Sequence, residues 1–215
     1  MGTSDVKTSA VTGAALVTGA TGFVGSALCR RLLEDGFRVV SGVRKEAIFP
    51  DDRATPVVVG EINEATEWSH ALVGVDVVFH LAARVHVLSE MAAEPLAEFR
   101  KTNVKGTERL ARSAAAAGVR RLVYISSIGV NGLCTDQGQS FSETDIPQPH
   151  NAYATSKWEA EQALISIARE TGLQVVIVRP PLVYGGGAPG NFAQLLSVVA
   201  KGIPLPFASV LTCAA

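Results

Sequence analysis

The chain has 215 residues and a formal net charge of -1, with 47% hydrophobic and 18% charged residues. That length suits one large α/β domain, or a domain plus part of another, and supplies a sizeable core. The balanced charge gives no electrostatic case for nucleic acid or an anionic membrane as partner. The three cysteines, Cys29, Cys134 and Cys213, are scattered and form no CxxC pair, so neither a disulfide framework nor a metal site is expected. No apolar run reaches membrane-spanning length. Residues 1–13 are small and polar and lack the apolar core of a signal peptide; they read as a disordered leader, and the expected location is the cytoplasm.

The first strand is predicted over Ala14–Thr18, and a helix over 24–35. Between them lies Thr18-Gly19-Ala20-Thr21-Gly22-Phe23-Val24-Gly25. Strand, glycine turn, helix is the order of a phosphate-binding βα unit. Gly19 permits the tight turn, Gly22 lets backbone approach a pyrophosphate, and Gly25 lets the helix pack close on the strand. The helix N-terminus offers free N–H groups to the anion. The spacing is GxxGxxG, which alone also describes an ordinary strand–helix turn.

Further strands are predicted over Arg38–Val43, 55–59, 76–81, 121–126 and 174–179, and helices over 64–72, 94–117, 153–171 and 191–201. Most strands carry consecutive β-branched and apolar residues, as strands covered on both faces do. Strict alternation predicts an α/β fold with a doubly wound parallel sheet. Gly36 and Gly118 stand where helix C-caps belong, and Asn151 where an N-cap belongs. The chain runs through Lys201-Gly202-Ile203-Pro204-Leu205-Pro206-Phe207 and stops shortly afterwards without a closing element. A truncation is expected, or a non-native tail after about residue 210.

The end of the second strand discriminates between cofactors. An NAD-binding fold usually places Asp or Glu there for the ribose 2′-OH. Here Val43 is followed by Arg44 and Lys45. A guanidinium there binds a 2′-phosphate, which favours NADP over NAD; a solvated basic pair at a strand end is an equal reading.

Tyr153 and Lys157 stand four residues apart and share one face of a helix. A phenol is a poor base at neutral pH, and a neighbouring ammonium favours its phenolate. Ser126 and Ser127 end the fifth strand. Ligands bind at the carboxyl ends of strands in open α/β sheets, so a hydroxyl there can meet the substrate oxygen that loses its proton. His70, His80, His86 and His150 lack ligand spacing and read as structural or surface residues, and Trp68 and Trp158 as packing residues.

The glycine loop, Val78-Phe79-His80-Leu81-Ala82-Ala83, Asn103-Val104-Lys105-Gly106-Thr107, Tyr124-Ile125-Ser126-Ser127, Tyr153-Ala154-Thr155-Ser156-Lys157 and Arg179-Pro180-Pro181-Leu182-Val183-Tyr184-Gly185 come in that order. Together they resemble the extended short-chain dehydrogenases/reductases, the nucleotide-sugar epimerase/dehydratase family, from residue 14 to about 207. The resemblance implies a Rossmann domain over 14–183 and the start of a substrate-binding region over 184–215. Most of the C-terminal substrate domain would be missing, since the family continues for on the order of 100 residues more.

It also implies roles. Tyr153 would be the acid/base, Lys157 its partner and ribose ligand, Ser127 the catalytic hydroxyl, and Asn103 the support of the helix and of a water relay to Lys157. Gly19, Thr21, Gly22, Phe23, Val24, Gly25, Leu81, Ala82 and Ala83 would line the cofactor, with Arg44, Glu61 and Ile62 at its adenosine end and Pro180 and Val183 at its nicotinamide. Arg84, Ser126, Ser127 and Asn191 would meet the substrate. Glu61-Ile62 replaces the usual Asp-Leu, and Ile128-Gly129 replaces the Asp-Glu of 4,6-dehydratases, which disfavours that elimination. The implied activity is NAD(P)-dependent hydride transfer at C4 of a nucleotide-activated hexose, by a 4-epimerase or a 4-keto reductase of surface-polysaccharide synthesis. The alternative is a cofactor-binding module without catalysis. The family often forms homodimers through a four-helix bundle, here from 94–117 and 153–171.

Overall fold

The computed structural model of the chain describes residues 13–46, 51–85, 94–136, 138–186 and 197–202. Six parallel strands form one sheet in the order β3-β2-β1-β4-β5-β6. They are β1 (Ala14–Thr18), β2 (Arg38–Val43), β3 (Thr55–Val58), β4 (Val77–His80), β5 (Arg121–Ile125) and β6 (Gln174–Val178). The chain winds outward from β1 to β3, then returns to place β4 on the other side of β1, with Val17 opposite both Ser41 and Phe79. This reversal opens a crevice at the carboxyl ends of β1 and β4.

Side-chain alternation divides the core between two faces. Ala15, Val17 and Val39 pack with Cys29 and Leu32 of helix α1 (Phe23–Glu34). Leu16, Val78, Leu122 and Tyr124 pack with Leu110 and Ala114 of α3 (Thr107–Ala116) and Leu164 of α4 (Ala152–Thr171). The α1 face runs out across the sheet. Val176 and Val178 of β6, in line with Val123 and Ile125, are 41% and 40% exposed. Two-sided burial therefore holds for β1 and fails for edge strand β6, which α4 covers on one face only.

Two predicted helices differ. Residues 64–72 form turns. Asn63 Oδ1 accepts from Ala65 N at 2.8 Å, Asn63 N donates to Thr66 Oγ1 at 2.8 Å, and Thr66 Oγ1 donates to Glu61 O at 2.9 Å. These side chains offer the backbone local bonds that compete with a helix, while the fully buried Trp68 anchors the segment. The stretch 94–117 is helical in three parts: α2 (Pro95–Arg100), a π-helical turn (Lys101–Gly106) and α3. A Cβ on Gly106 would lie 2.5 Å from Ile62 Cγ2, so this turn presses on the segment after β3. Helix α4 starts where predicted, with Asn151 Oδ1 accepting from Ala154 N at 2.8 Å, and Gly36 and Gly118 take the left-handed C-terminal positions. The predicted helix 191–201 lies mostly outside the described residues. No helix among the described residues is long and apolar enough to cross a membrane.

Candidate active site

The crevice beside β1 is a cavity of about 490 Å³. Gly19, Thr21 and Gly22 form one wall, Leu81, Ala82 and Ala83 another, and Arg44, Glu61 and Ile62 close the far end. All nine were expected cofactor contacts. Gly19 has φ +68°, and a Cβ there would lie 2.8 Å from Ala82 N. Glycine is thus required both for the turn and for the approach of the two strand ends. Gly22 caps α1 without a side-chain bond. The N–H groups of Phe23, Val24 and Gly25 lack intrahelical acceptors, as at any helix start.

Gly25 has a different contact from the one expected. A Cβ on it would fall 2.1 Å from Gly19 O. Its lack of a side chain seats the helix against the glycine loop itself, while β1 lies behind. Phe23, Val24 and Gly25 do not line the cavity, which instead takes in Gly42, Val43, Val59, Gly60, Arg84, Val85 and Thr102. A Cβ on Gly22 would likewise lie 3.1 Å from Gly19 O, so both glycines keep the loop that walls the cavity tight.

Arg44 Nη1 lies 3.7 Å from Glu61 Oε1, with both side chains 76% exposed. Water screens such a pair, so it contributes about 0–1 kcal/mol. Its consequence is local charge: the far end of the cavity presents a carboxylate as well as a guanidinium.

Asn103 joins the cavity to α4. On the π-helical turn, its Oδ1 accepts from Arg84 N at 2.8 Å, and its Nδ2 donates to Arg84 O at 3.1 Å and to Ser156 Oγ at 2.9 Å. The side chain thus fixes the strand-end segment after β4 and the residue before Lys157. The Arg84 guanidinium lies 5.9 Å from the Phe99 ring centroid, and Phe99 meets the Tyr153 ring edge-on at 6.0 Å.

Tyr153 and Lys157 occupy one face of the first turns of α4. Lys157 is 1% exposed, with Nζ 4.1 Å from the centroid of the Tyr124 ring. Burial pulls its ammonium down to about 7, opposed by the charge of Glu161. Burial also pushes the Tyr153 phenol up. The expected lowering of the phenol by the lysine is therefore reversed in the protein alone, because desolvation penalises both charged forms. His80 is fully enclosed, with its ring nitrogens 2.7 Å from Thr18 Oγ1 and 2.9 Å from Thr107 Oγ1. Burial, then the Lys157 charge, pulls it down to about 3, so it is neutral.

The two serines separate. Ser127 Oγ accepts from Gly129 N at 3.2 Å at the start of a 3₁₀ turn, Ile128–Val130. A Cβ on Gly129 would lie 3.4 Å from that oxygen and 3.6 Å from Ala154 Cβ, which places Ser127 beside the first turn of α4. Ser126 is 4% exposed and donates to Glu161 Oε1. Strand alternation turns its hydroxyl into the protein, toward Glu161, where a substrate contact was expected of it. Pro180 O accepts from Ile128 N at 3.0 Å, and Val183 is partly exposed nearby in the chain. Asn191 and His86 lie outside the described residues.

Sequence reading gave no role to Glu161 or to the Thr18–His80–Thr107 chain. The spacing of 153, 157 and 161 on one helical face was a usable signal for Glu161. Nothing local marked the threonines, which meet His80 from β1 and from the start of α3.

The profile of the NAD dependent epimerase/dehydratase family matches residues 15–204. A UDP-glucose 4-epimerase from Vibrio cholerae is 43% identical over 195 residues, covering 91% of this chain and 59% of the relative. A 3 beta-hydroxysteroid dehydrogenase/Delta 5-->4-isomerase from Mycobacterium tuberculosis is 32% identical over 88% of this chain and 52% of its own length. Among solved structures, MoeE5 in complex with UDP-glucuronic acid and NAD superposes with a TM-score of 0.74 at 32% identity, over 90% of this chain and 63% of that one. The chain thus spans between half and two thirds of the length of these relatives.

Proposed function

Because the chain belongs to the NAD dependent epimerase/dehydratase family, we propose that it carries the dinucleotide-binding and proton-transfer half of a nucleotide-sugar 4-epimerase or 4-keto reductase. The observation that carries this reading is the junction made by Asn103: one side chain ties the wall of the glycine-lined cavity to the helix of Tyr153 and Lys157. The nucleotide-sugar substrate rests on the 43% identical relative and on the sugar nucleotide of the MoeE5 complex. A role in surface-polysaccharide synthesis is analogy within the family.

NAD, when bound, supplies the hydride acceptor. The residues do the rest. Gly19, Gly22 and the start of α1 hold the pyrophosphate, and Arg44 and Glu61 flank the adenosine ribose. Glu61 beside Arg44, with NAD in the solved relative, favours NAD over the 2′-phosphorylated form that Arg44 alone suggested. Tyr153 Oη takes the proton of the sugar C4 hydroxyl as the C4 hydride leaves, and Ser127 Oγ hydrogen-bonds the same oxygen. Lys157 holds the nicotinamide ribose and favours the phenolate. Return of proton and hydride to the opposite face of the 4-keto sugar gives the epimer. A 4-keto reductase would instead begin from the 4-keto sugar, Tyr153 giving its proton to the C4 oxygen while C4 takes the hydride that a reduced cofactor would supply. The proposed dimer pairs α2–α3 and α4 with their copies.

A second reading, a cofactor-binding module without turnover, is favoured by one observation. The cavity lining holds nine of the expected cofactor contacts, whereas the hydroxyl of Ser126, expected at the substrate, is turned inward to Glu161. The test is NADH and NADPH titration by fluorescence, coupled to UDP-glucose/UDP-galactose interconversion. Tight NADH binding with turnover supports the first reading, tight binding without turnover the second, and absent binding overturns both.

A further inference from the structure

His80 ends β4 with its ring between two threonine hydroxyls, and all three side chains are buried. Nδ1 lies 2.7 Å from Thr18 Oγ1 at the end of β1, and Nε2 lies 2.9 Å from Thr107 Oγ1 at the start of α3. Each hydroxyl has one hydrogen to give. Thr107 gives its hydrogen to Asn103 O at 2.7 Å, so His80 Nε2 must donate to Thr107. In the neutral ring Nδ1 then accepts. The Thr18 hydroxyl supplies that hydrogen while its oxygen accepts from Ala82 N at 3.2 Å. The other tautomer would point Nδ1–H at Thr18, leave the Thr18 hydrogen without His80 as acceptor, and draw the Thr107 hydrogen away from Asn103 O. Only the Nε2–H form makes all four bonds, and they run one way on each side of the ring: Ala82 N to Thr18 to Nδ1, and Nε2 to Thr107 to Asn103 O.

Both arms reach the same wall of the glycine-lined cavity. Thr18 holds Ala82 N, the atom that a Cβ on Gly19 would meet at 2.8 Å. Thr107 holds the carbonyl of Asn103, whose side-chain amide pairs with Arg84 N and O as a neighbouring strand would. Ala82 and Arg84 lie past the end of β4, so side chains do there what strand pairing does before it. We propose that His80, fixed as the Nε2–H tautomer, is a positioning residue that holds the 82–84 wall at the spacing the cavity needs for its cofactor. His80 is not among the residues lining that cavity; it acts through Thr18 and Thr107. The purpose of the clamp rests on the proposed function, whereas the tautomer and the wall are read in the protein alone.

The chain has four histidines, so histidine-specific isotope labelling and nitrogen NMR read the state of each ring nitrogen, with His80→Gln to assign the signal. At neutral pH His80 should carry hydrogen on Nε2 and none on Nδ1. Thr107→Val keeps the side-chain shape and removes the hydroxyl. The ring hydrogen should then move to Nδ1, where Thr18 accepts it, and the Arg84 amide should exchange faster with deuterium. The NADH Kd should rise about fivefold, the net worth of one hydrogen bond. Thr107→Ser should restore all three. Thr18→Val should leave the hydrogen on Nε2, speed exchange at the Ala82 amide and weaken NADH likewise; it carries the test if Thr107→Val does not fold. Hydrogen on Nδ1 in the wild type overturns the inference and leaves the dinucleotide reading intact. So does unchanged amide exchange, or an unchanged NADH Kd, in a folded valine variant. Absence of NADH binding by a wild type whose tautomer and amides respond as expected overturns the dinucleotide reading alone.

Discussion

Two Arg–Glu pairs stand at opposite ends of the site. Arg44–Glu61 is 76% exposed on both sides at 3.7 Å, with no hydrogen bond between the partners. Arg179–Glu161 is 18% and 1% exposed, with both guanidinium and carboxylate fixed by further bonds. The same chemistry does different things in the two places. At the glycine-lined cavity, water screens the pair, and its side chains are free to adapt to what enters. Beneath Tyr153, low dielectric makes each charge costly and each partner obligatory. The cavity end is shaped by backbone and glycines; the end at Tyr153 and Lys157 is shaped by buried polar side chains.

The largest effect is expected at the buried end. Tyr153→Phe removes one hydroxyl and should lower turnover by about 10²–10⁴-fold, the usual contribution of a general acid–base group. NADH affinity should be nearly unchanged. Wild-type turnover in this variant would put the proton transfer elsewhere.

Gly25→Ala tests the backbone-built end. With Gly19 O 2.1 Å from the new Cβ, α1 must shift, at a cost of about 1–3 kcal/mol for such overpacking. Thermal unfolding should show the loss, and NADH titration a weaker Kd, because the helix start moves off the pyrophosphate site. An unchanged Kd would mean that the loop tolerates displacement.

pH should act on the buried end through His80. Its folded value, about 3, lies below its ordinary 6.5. The unfolded chain therefore binds more protons between these values, and stability falls as pH drops from 6.5 towards 3. At pH 5 this histidine alone accounts for about 2 kcal/mol of lost stability relative to pH 7. Urea unfolding at the two pH values checks it, and His80→Gln should remove that part of the decline.

The smallest effect belongs to the exposed pair. Glu61→Gln should shift selectivity towards NADPH and Arg44→Ser towards NADH, each with less than about 0.5 kcal/mol change in stability, as for surface substitutions. Selectivity unchanged in both variants would remove the pair from cofactor choice.

These differences track what was legible beforehand. The glycine loop was readable because its demand is local: a left-handed turn at Gly19 and an absent side chain at Gly25 are properties of single positions. The strands and α4 announced themselves through periodicity and the Asn151 cap. The turns at 64–72 escaped because Asn63 and Thr66 override a helical pattern with bonds that depend on their exact pairing. Ser126 and Ser127 were indistinguishable as neighbours at a strand end; only the register of β5 against β6 and α4 turns one inward to Glu161.

The succession of strands and helices along the chain, the glycine cradle and the Tyr153–Lys157 spacing were determined by the amino-acid sequence itself, since each follows from local conformation or short-range repeat, and strict alternation carried the parallel sheet with it. The state of charge at the site was decided by the fold. Lys157 near 7 and His80 near 3 result from enclosure by residues of other strands and helices, and the Glu161 partnership with Arg179 forms only when β6 docks beside β5. Electrostatic free energy depends on what surrounds a charge, and that is set by tertiary packing.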